Sequence, residues 1–144
     1  MKLSMSSSVA ADRARVFAAL IDPEVLRRTI PGCETLAATG PDAYEATLKI
    51  GVAGLKGTYT GKAAIADQQP PERLTLSFEG KGGPGFVRGS AAIALTADGD
   101  ATRVDCEADV HVGGLIAAIG SRLVEAAARK LADDFFRQLA GTLT

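Results

Sequence analysis

The chain lacks tryptophan, and its aromatic residues amount to only 5% of the sequence. This scarcity leaves few side chains on which bases could stack, so a binding site for single-stranded nucleic acid is not expected. The formal net charge of −1 provides no general attraction for nucleic acid either. The single histidine and the widely separated Cys33 and Cys106 form no metal-binding or catalytic motif. The sequence therefore predicts no nucleic-acid partner, no metal site and no catalytic residue.

Long apolar runs are also missing. No stretch is long enough to span a membrane, and the N-terminal segment has no continuous apolar region typical of a signal peptide. We therefore expect a cytoplasmic protein in which both cysteines are free thiols. Because the 144 residues contain no linker, internal repeat or low-complexity segment, we predict a single domain over residues 1–144.

Alternation of apolar and polar residues predicts seven strands. They are residues 2–9, 33–38, 44–52, 57–66, 73–79, 85–96 and 103–112. In the last of them, Val104, Cys106 and Val110 share an apolar face, while Asp105 and Asp109 lie on a charged one. One apolar and one polar face are typical of an antiparallel sheet that is covered on one side.

Helices are predicted at two places. Asp12 and Asp22 suit the N-caps of two short helices after the first strand. Apolar residues then recur at spacings of three and four from about Leu115 to Leu143, which predicts one long C-terminal helix. Since an apolar sheet face must be covered, the long helix is expected to cross the sheet in an α+β fold.

Glycine stands beside apolar residues in the connections IPGC, GVAGLKG, GKGGPGF and VGGLIA. Alternate turns of an antiparallel meander fall at the same end of the sheet, and these four connections share one end. We interpret them as the rim of an opening, with Val52 and Leu55 partly exposed at a hairpin tip. The predicted rim residues are Ile30, Val52, Leu55, Phe86 and Leu115.

Small inward residues, such as Gly61, Ala91 and Ala108, indicate either a helix very close to the sheet or a hollow beneath it. We favour the hollow, because the two short helices would hold the long one away. An apolar hollow of this kind typically binds an apolar small molecule. The predicted cavity residues are Leu48, Ile50, Tyr59, Phe78, Ile93, Cys106, Val110, Ile116, Ile119 and Leu123.

Other motifs have simpler interpretations. GKGGPG resembles a phosphate-binding loop, but Lys81 precedes glycine and a strand rather than a helix follows, which favours a hairpin turn. His111 falls on the charged face and is expected to be solvated. Tyr44 and Tyr59 point inward, either as polar groups for a ligand or as core tyrosines with internal partners.

The segments IPGCE, KGTYTG, PPERL, GFVRG and GGLIAAIGSR together resemble the family of the CoxG subunit of carbon monoxide dehydrogenase, within the START/Bet v1-like (SRPBCC) superfamily. The resemblance spans nearly the whole chain. It implies a helix-grip fold, a curved seven-stranded antiparallel sheet around the C-terminal helix. It also implies a non-enzymatic accessory role beside carbon monoxide dehydrogenase-type molybdenum hydroxylases, with membrane recruitment and a bound quinone or lipid, and no covalently bound cofactor.

The superfamily also leaves two alternatives open, a polyketide cyclase or dehydratase and an intracellular lipid carrier. Some members of the family carry an extension beyond the long helix that assists membrane contact. This chain ends at Thr144, so we expect peripheral, transient contact with the cytoplasmic face of the membrane to use the apolar rim.

Overall fold

The structure, a computed structural model, describes residues 1–52 and 54–143. Ala53, within the predicted GVAGLKG loop, and Thr144, at the end of the predicted domain, lie outside the described residues. The elements in chain order are β1 Lys2–Val9, α1 Arg13–Leu20, α2 Pro23–Thr29, β2 Cys33–Gly40, β3 Ala43–Ile50, β4 Gly57–Gln69, β5 Arg73–Gly82, β6 Gly85–Asp98, β7 Ala101–Gly113, α3 Leu115–Ala118 and α4 Ser121–Leu143.

The strands form one antiparallel sheet in the order β1-β7-β6-β5-β4-β3-β2. Each strand from β2 to β7 pairs with its neighbour in sequence, and β1 returns to pair with β7. The sheet does not close, so β1 and β2 are its edges. The predicted α+β fold, with a seven-stranded antiparallel sheet and a C-terminal helix, is confirmed.

The two short helices begin at the predicted caps. A carboxylate oxygen of Asp12 accepts a hydrogen bond from the backbone N–H of Arg15 at 2.9 Å. Asp22 accepts one from Glu24 at the same distance, and Pro23 occupies the first turn. These bonds satisfy amide groups that have no partner within the helix. Both helices contact α4, as expected of elements that support it at one end of the sheet.

The C-terminal segment differs from the prediction of one continuous helix. The structure has a short α3 and a long α4, separated at Ile119 and Gly120. Gly120 has a φ of +98°, a conformation that favours glycine and ends a helix. The apolar spacing continues through the break, which is why periodicity alone did not reveal it. Within the described residues, no helix combines the length and hydropathy needed to cross a membrane.

Buried apolar residues form two clusters. The larger lies toward the polar turns and includes Val9, Val16 and Leu139. The smaller lies toward the opposite end and includes Ile50 and Ile116. Ile116 and Leu139, one from each cluster, have no exposed surface, so both regions are well packed.

Candidate functional site

A cavity of about 430 Å³ separates the inner face of the sheet from α4. Its floor consists largely of small side chains that face each other across neighbouring strands. Ala46 pairs with Gly61, and Gly61 with Gly80. Ala91 pairs with Ala108 two rows further along the sheet. Small residues at these positions leave the space that larger side chains would fill, and the predicted hollow is present.

One face of α4 forms the roof. Val124, Ala128 and Leu131 border the cavity at the i, i+4 and i+7 spacing that places side chains on the same face of a helix. Both core clusters contribute to the walls, through Tyr44 from one and Tyr59 from the other. The site is therefore built from the whole fold rather than from a single loop.

Six predicted cavity residues border the cavity: Leu48, Ile50, Tyr59, Phe78, Cys106 and Val110. Four others do not. Ile93 belongs to the larger packed cluster, and Ile116 is fully buried in the smaller one. Ile119 packs against Gly54. Leu123 is 59% exposed and points away from the cavity, since α4 begins anew after Gly120.

The four glycine-rich connections lie together, as the topology predicted. We call the end formed by residues 30–32, 51–52, 54–56, 83–84 and 113–120 the glycine-rich end. The backbone N–H of Ile116 donates to the carbonyl of Pro84 at 3.0 Å. Gly54 has a φ of +89°, and a Cβ added there would lie 2.6 Å from Cδ1 of Ile119. The positive φ favours glycine here, and the missing Cβ leaves room for the end of the Ile119 side chain.

The predicted rim residues separate into two groups. Ile30 and Leu55 border the cavity, and Val52 packs against the smaller cluster. The expectation that Leu55 is partly exposed is wrong, because the left-handed Gly54 turns it inward and only 8% of it is exposed. Phe86 and Leu115 are the exposed residues of the group and do not border the cavity.

Both inward tyrosines have internal hydrogen-bond partners. The hydroxyl of Tyr59 donates to the carbonyl of Leu55 at 2.6 Å, and that of Tyr44 donates to the carbonyl of Ile21 at 2.9 Å. These bonds favour the interpretation as core tyrosines. Burial raises the pKa of both hydroxyls above the usual 10.0. Burial, with Glu107 nearby, also raises the pKa of the Cys106 thiol. All three groups therefore hold their protons at neutral pH.

Several cavity residues were not predicted from the sequence. They are Leu3, Met5, Leu36, Leu76, Val87, Val112, Val124, Ala128 and Leu131. Val87 and Val112 pair with each other in register. Val112 is two residues after Val110 and lies on the same inner face of the sheet, so strand alternation could have identified both. The α4 residues could not be identified in this way. The break at Gly120 changes which residues of α4 face the sheet, and the sequence does not show this change.

The other motifs lie outside the cavity. GKGGPGF forms the β5–β6 hairpin, in which Gly82 pairs with Gly85. His111 is on the outer face of β7 and 62% exposed, with Nε2 3.9 Å from a carboxylate oxygen of Asp109. Among the described residues, no group of three His, Cys, Asp or Glu side chains is placed to hold a metal ion.

The family model for the CoxG subunit of carbon monoxide dehydrogenase matches residues 6–144. The chain belongs to the CoxG family. A conserved protein from Geobacillus kaustophilus is 34% identical, with a TM-score of 0.95, and the match covers 99% of this chain and 95% of that one. No protein with a curated description matches this CoxG-family chain.

Two more distant solved structures share the fold. A START superfamily protein from Mycobacterium smegmatis is 15% identical, with a TM-score of 0.77 and coverage of 99% and 96% of the two chains. Ara h 8.0201 is 14% identical, with a TM-score of 0.72 and coverage of 99% and 97%. The resemblance to the START/Bet v1-like superfamily is thus confirmed at the level of the fold.

Proposed function

We propose that this CoxG-family protein binds an uncharged apolar molecule, a quinone or a lipid, in the cavity between the sheet and α4. It serves as a non-enzymatic accessory module for carbon monoxide dehydrogenase-type molybdenum hydroxylases. The ligand is held reversibly, and the protein exchanges it at the cytoplasmic face of the membrane through transient contact.

The observation that carries the proposal is the cavity itself. A space of about 430 Å³ lined mainly by Leu, Ile, Val, Ala and Gly is within the usual size range of small-molecule sites. Protein interiors otherwise pack closely, so a space of this size is costly unless a ligand occupies it. The START/Bet v1-like fold commonly binds hydrophobic ligands in its cavity, which agrees with this interpretation.

The lining favours an uncharged ligand. The hydroxyl protons of Tyr44 and Tyr59 are already donated to backbone carbonyls. Lys62, at the boundary, is 65% exposed and faces Glu45 on the outer surface at 3.9 Å. A carboxylate placed deep in the cavity would therefore lose its hydration without gaining a cation or a free donor, which is strongly unfavourable.

The same chemistry favours a binding module over a cyclase or dehydratase. Acid–base catalysis needs a group that exchanges protons near neutral pH. Among the ionisable residues that border the cavity, Tyr44, Tyr59 and Cys106 lie on the inner face, and burial raises the pKa of each of them. The other two, Lys62 and Glu79, pair with each other in register and are exposed to solvent. Membership of the CoxG family supports the hydroxylase as partner. The family model matches residues 6–144 of the chain.

Tyrosine fluorescence provides a direct test. The chain has no tryptophan, and its two tyrosines, Tyr44 and Tyr59, both border the cavity. We expect a short-tailed, water-soluble quinone to quench this emission saturably. A long-chain alcohol should displace the quinone, whereas the carboxylate of equal chain length should compete at least tenfold more weakly. Linear, unsaturable quenching would contradict the proposal, and so would equal competition by alcohol and carboxylate.

The hydroxylase partnership needs a separate test. Purified protein loaded with quinone should raise the rate at which a carbon monoxide dehydrogenase-type hydroxylase reduces quinone in membranes. The protein alone should show no turnover of carbon monoxide. If loaded protein leaves the rate unchanged while it binds quinone normally, the accessory role is wrong and the binding role stands.

A further inference from the structure

A second pocket, of about 230 Å³, lies beside the cavity. We call it the side pocket. Val110 and Val112 of β7 and Val124 of α4 border both spaces, so these three valines form the wall between them. On its other side, the side pocket borders the junction of α3 and α4. The side pocket therefore adjoins the cavity across short apolar side chains.

The side pocket exists because two elements end beside it. At the end of the β1–β7 ladder, Met1 and Val110 exchange backbone hydrogen bonds of 2.8 and 2.9 Å, whereas β7 continues to Gly113. On the helical side, Gly120 separates α3 from α4 with its positive φ, and a Cβ built on it would meet no atom within 4 Å. The end of the ladder and the break between the helices therefore leave an opening in the wall of the fold.

The side pocket offers hydrogen-bond donors that the cavity lacks. Backbone groups of an antiparallel strand point alternately to its two neighbours, so the N–H of Val112 points the same way as that of Val110, past the end of the ladder. Ser121 also borders the side pocket, and among the described residues its hydroxyl has no hydrogen-bond partner. Inside the cavity, the hydroxyls of Tyr44 and Tyr59 are already donated to backbone carbonyls. The donors available to a ligand thus lie beyond the valine wall.

The two spaces suit the two parts of an uncharged amphiphile, a molecule with an apolar body and a hydroxyl or carbonyl oxygen at one end. In the cavity, that oxygen would lose its water without gaining a donor, which costs free energy. In the side pocket it keeps contact with water, because Ser121 and His111 at the border are exposed. The apolar body gains most where water is excluded, in the cavity.

We propose that the side pocket is the polar subsite of the ligand site. It holds the hydroxyl or carbonyl end of an uncharged amphiphile, whose apolar body passes between the three valines and fills the cavity. The hydroxyl of Ser121 and the backbone N–H of Val112 are the donors to that oxygen. The inference rests on the proposed function, to which it adds the orientation of the ligand and the residues that recognise its polar end.

The charges around the side pocket also favour an uncharged polar end. Its two basic groups, the amine of Met1 and the ring of His111, lie 3.8 and 3.9 Å from the carboxylate of Asp109. Arg122 does not border the side pocket, and Glu125 lies in the next turn of α4. A carboxylate would therefore find no free cation among the described residues at the border, whereas a hydroxyl or carbonyl needs only a donor.

Calorimetric titration of the full chain with two probes tests the inference. 1-Decanol has a polar end, whereas butylbenzene has none. Ala117→Phe fills the side pocket from α3, because Ala117 is exposed and borders the side pocket but not the cavity. It should weaken the binding of 1-decanol about tenfold or more and leave that of butylbenzene within a factor of about two. Ser121→Ala should weaken 1-decanol about fivefold, the effect of one lost hydrogen bond, and leave butylbenzene unchanged.

The matched control is Ala118→Phe, which adds the same ring to the next residue of α3, exposed but away from the side pocket. It should bind both probes like the wild type. Unchanged binding of 1-decanol by Ala117→Phe and Ser121→Ala would overturn the inference and leave the proposed function standing. An equal loss for butylbenzene would make the side pocket an extension of the apolar cavity and would overturn the polar subsite. If the wild type binds neither probe saturably, the proposed function fails, and this inference fails with it.

Discussion

Filling the cavity from its floor should stabilise the protein and impair ligand binding. Ala108 lies in β7 between its register partners Leu3 and Ala91, borders the cavity, and is only partly covered by neighbours. Ala108→Leu adds three carbon groups to an empty space. Each buried group contributes about 0.8 kcal/mol, and fixing the leucine side chain costs about 0.5–1 kcal/mol. We therefore expect the free energy of unfolding to rise by about 1–2 kcal/mol.

For a chain of this length, that gain corresponds to an increase in melting temperature of about 3–6 °C. The same leucine occupies part of the space that a ligand needs. Quinone affinity, measured by quenching of tyrosine fluorescence, should fall at least tenfold, which is about 1.4 kcal/mol of binding free energy. Thermal unfolding without ligand and the quinone titration together check the prediction.

The matched control is Ala92→Leu, which adds the same groups to the outer face of β6, where the side chain is exposed. It should change neither the melting temperature nor the affinity appreciably. A different result for Ala108→Leu would refute the reasoning. If its melting temperature falls as overpacking requires, by the equivalent of about 1–3 kcal/mol, and quinone binding is unchanged, the space near Ala108 is packed rather than hollow.

Two further predictions concern polar groups that border the cavity. Tyr59→Phe removes the hydroxyl that donates to the carbonyl of Leu55, so the free energy of unfolding in urea should fall by about 1 kcal/mol. Quinone affinity should stay within a factor of about two. A large loss of affinity would show that the hydroxyl binds the ligand. Burial raises the folded-state pKa of the Cys106 thiol above 9.0, so its protonated form stabilises the fold below that pH, and the contribution is lost as pH rises toward the folded-state pKa. Urea unfolding should therefore show wild-type stability falling relative to Cys106→Ala above pH 9.0, and a pH-independent difference would contradict this.

Strand alternation predicted the sheet because its period is independent of distant contacts. The same parity brought the glycine-rich connections to one end and pointed to a hollow above Gly61, Ala91 and Ala108. The predicted positions of Leu123 and Leu55 were wrong because a glycine with positive φ precedes each of them. Gly120 separates α3 from α4, and Gly54 turns the loop inward. A glycine's φ depends on tertiary contacts, such as the packing of Ile119 on Gly54, which sequence spacing does not contain.

The hydrogen-bond partners of the tyrosines could not be predicted for a similar reason. Tyr44 donates to the carbonyl of Ile21, at the junction of α1 and α2, a residue with no sequence signal as an acceptor. Local pattern indicates which face a side chain occupies. It does not indicate which distant backbone group the side chain will meet, and that contact decides whether a hydroxyl is free for a ligand.

The apolar cavity and the membrane contact proposed above are physically linked. A ligand that buries about 300 Å² of apolar surface gains roughly 7 kcal/mol on leaving water. It gains almost nothing on leaving a bilayer, whose interior is as apolar as the cavity lining. The cavity would thus hold such a ligand firmly in water but exchange it freely at a membrane, provided that the ligand does not cross water on the way. That condition would require the cavity to meet the bilayer directly, and Ile30 and Leu55, which border the cavity, belong to the glycine-rich end.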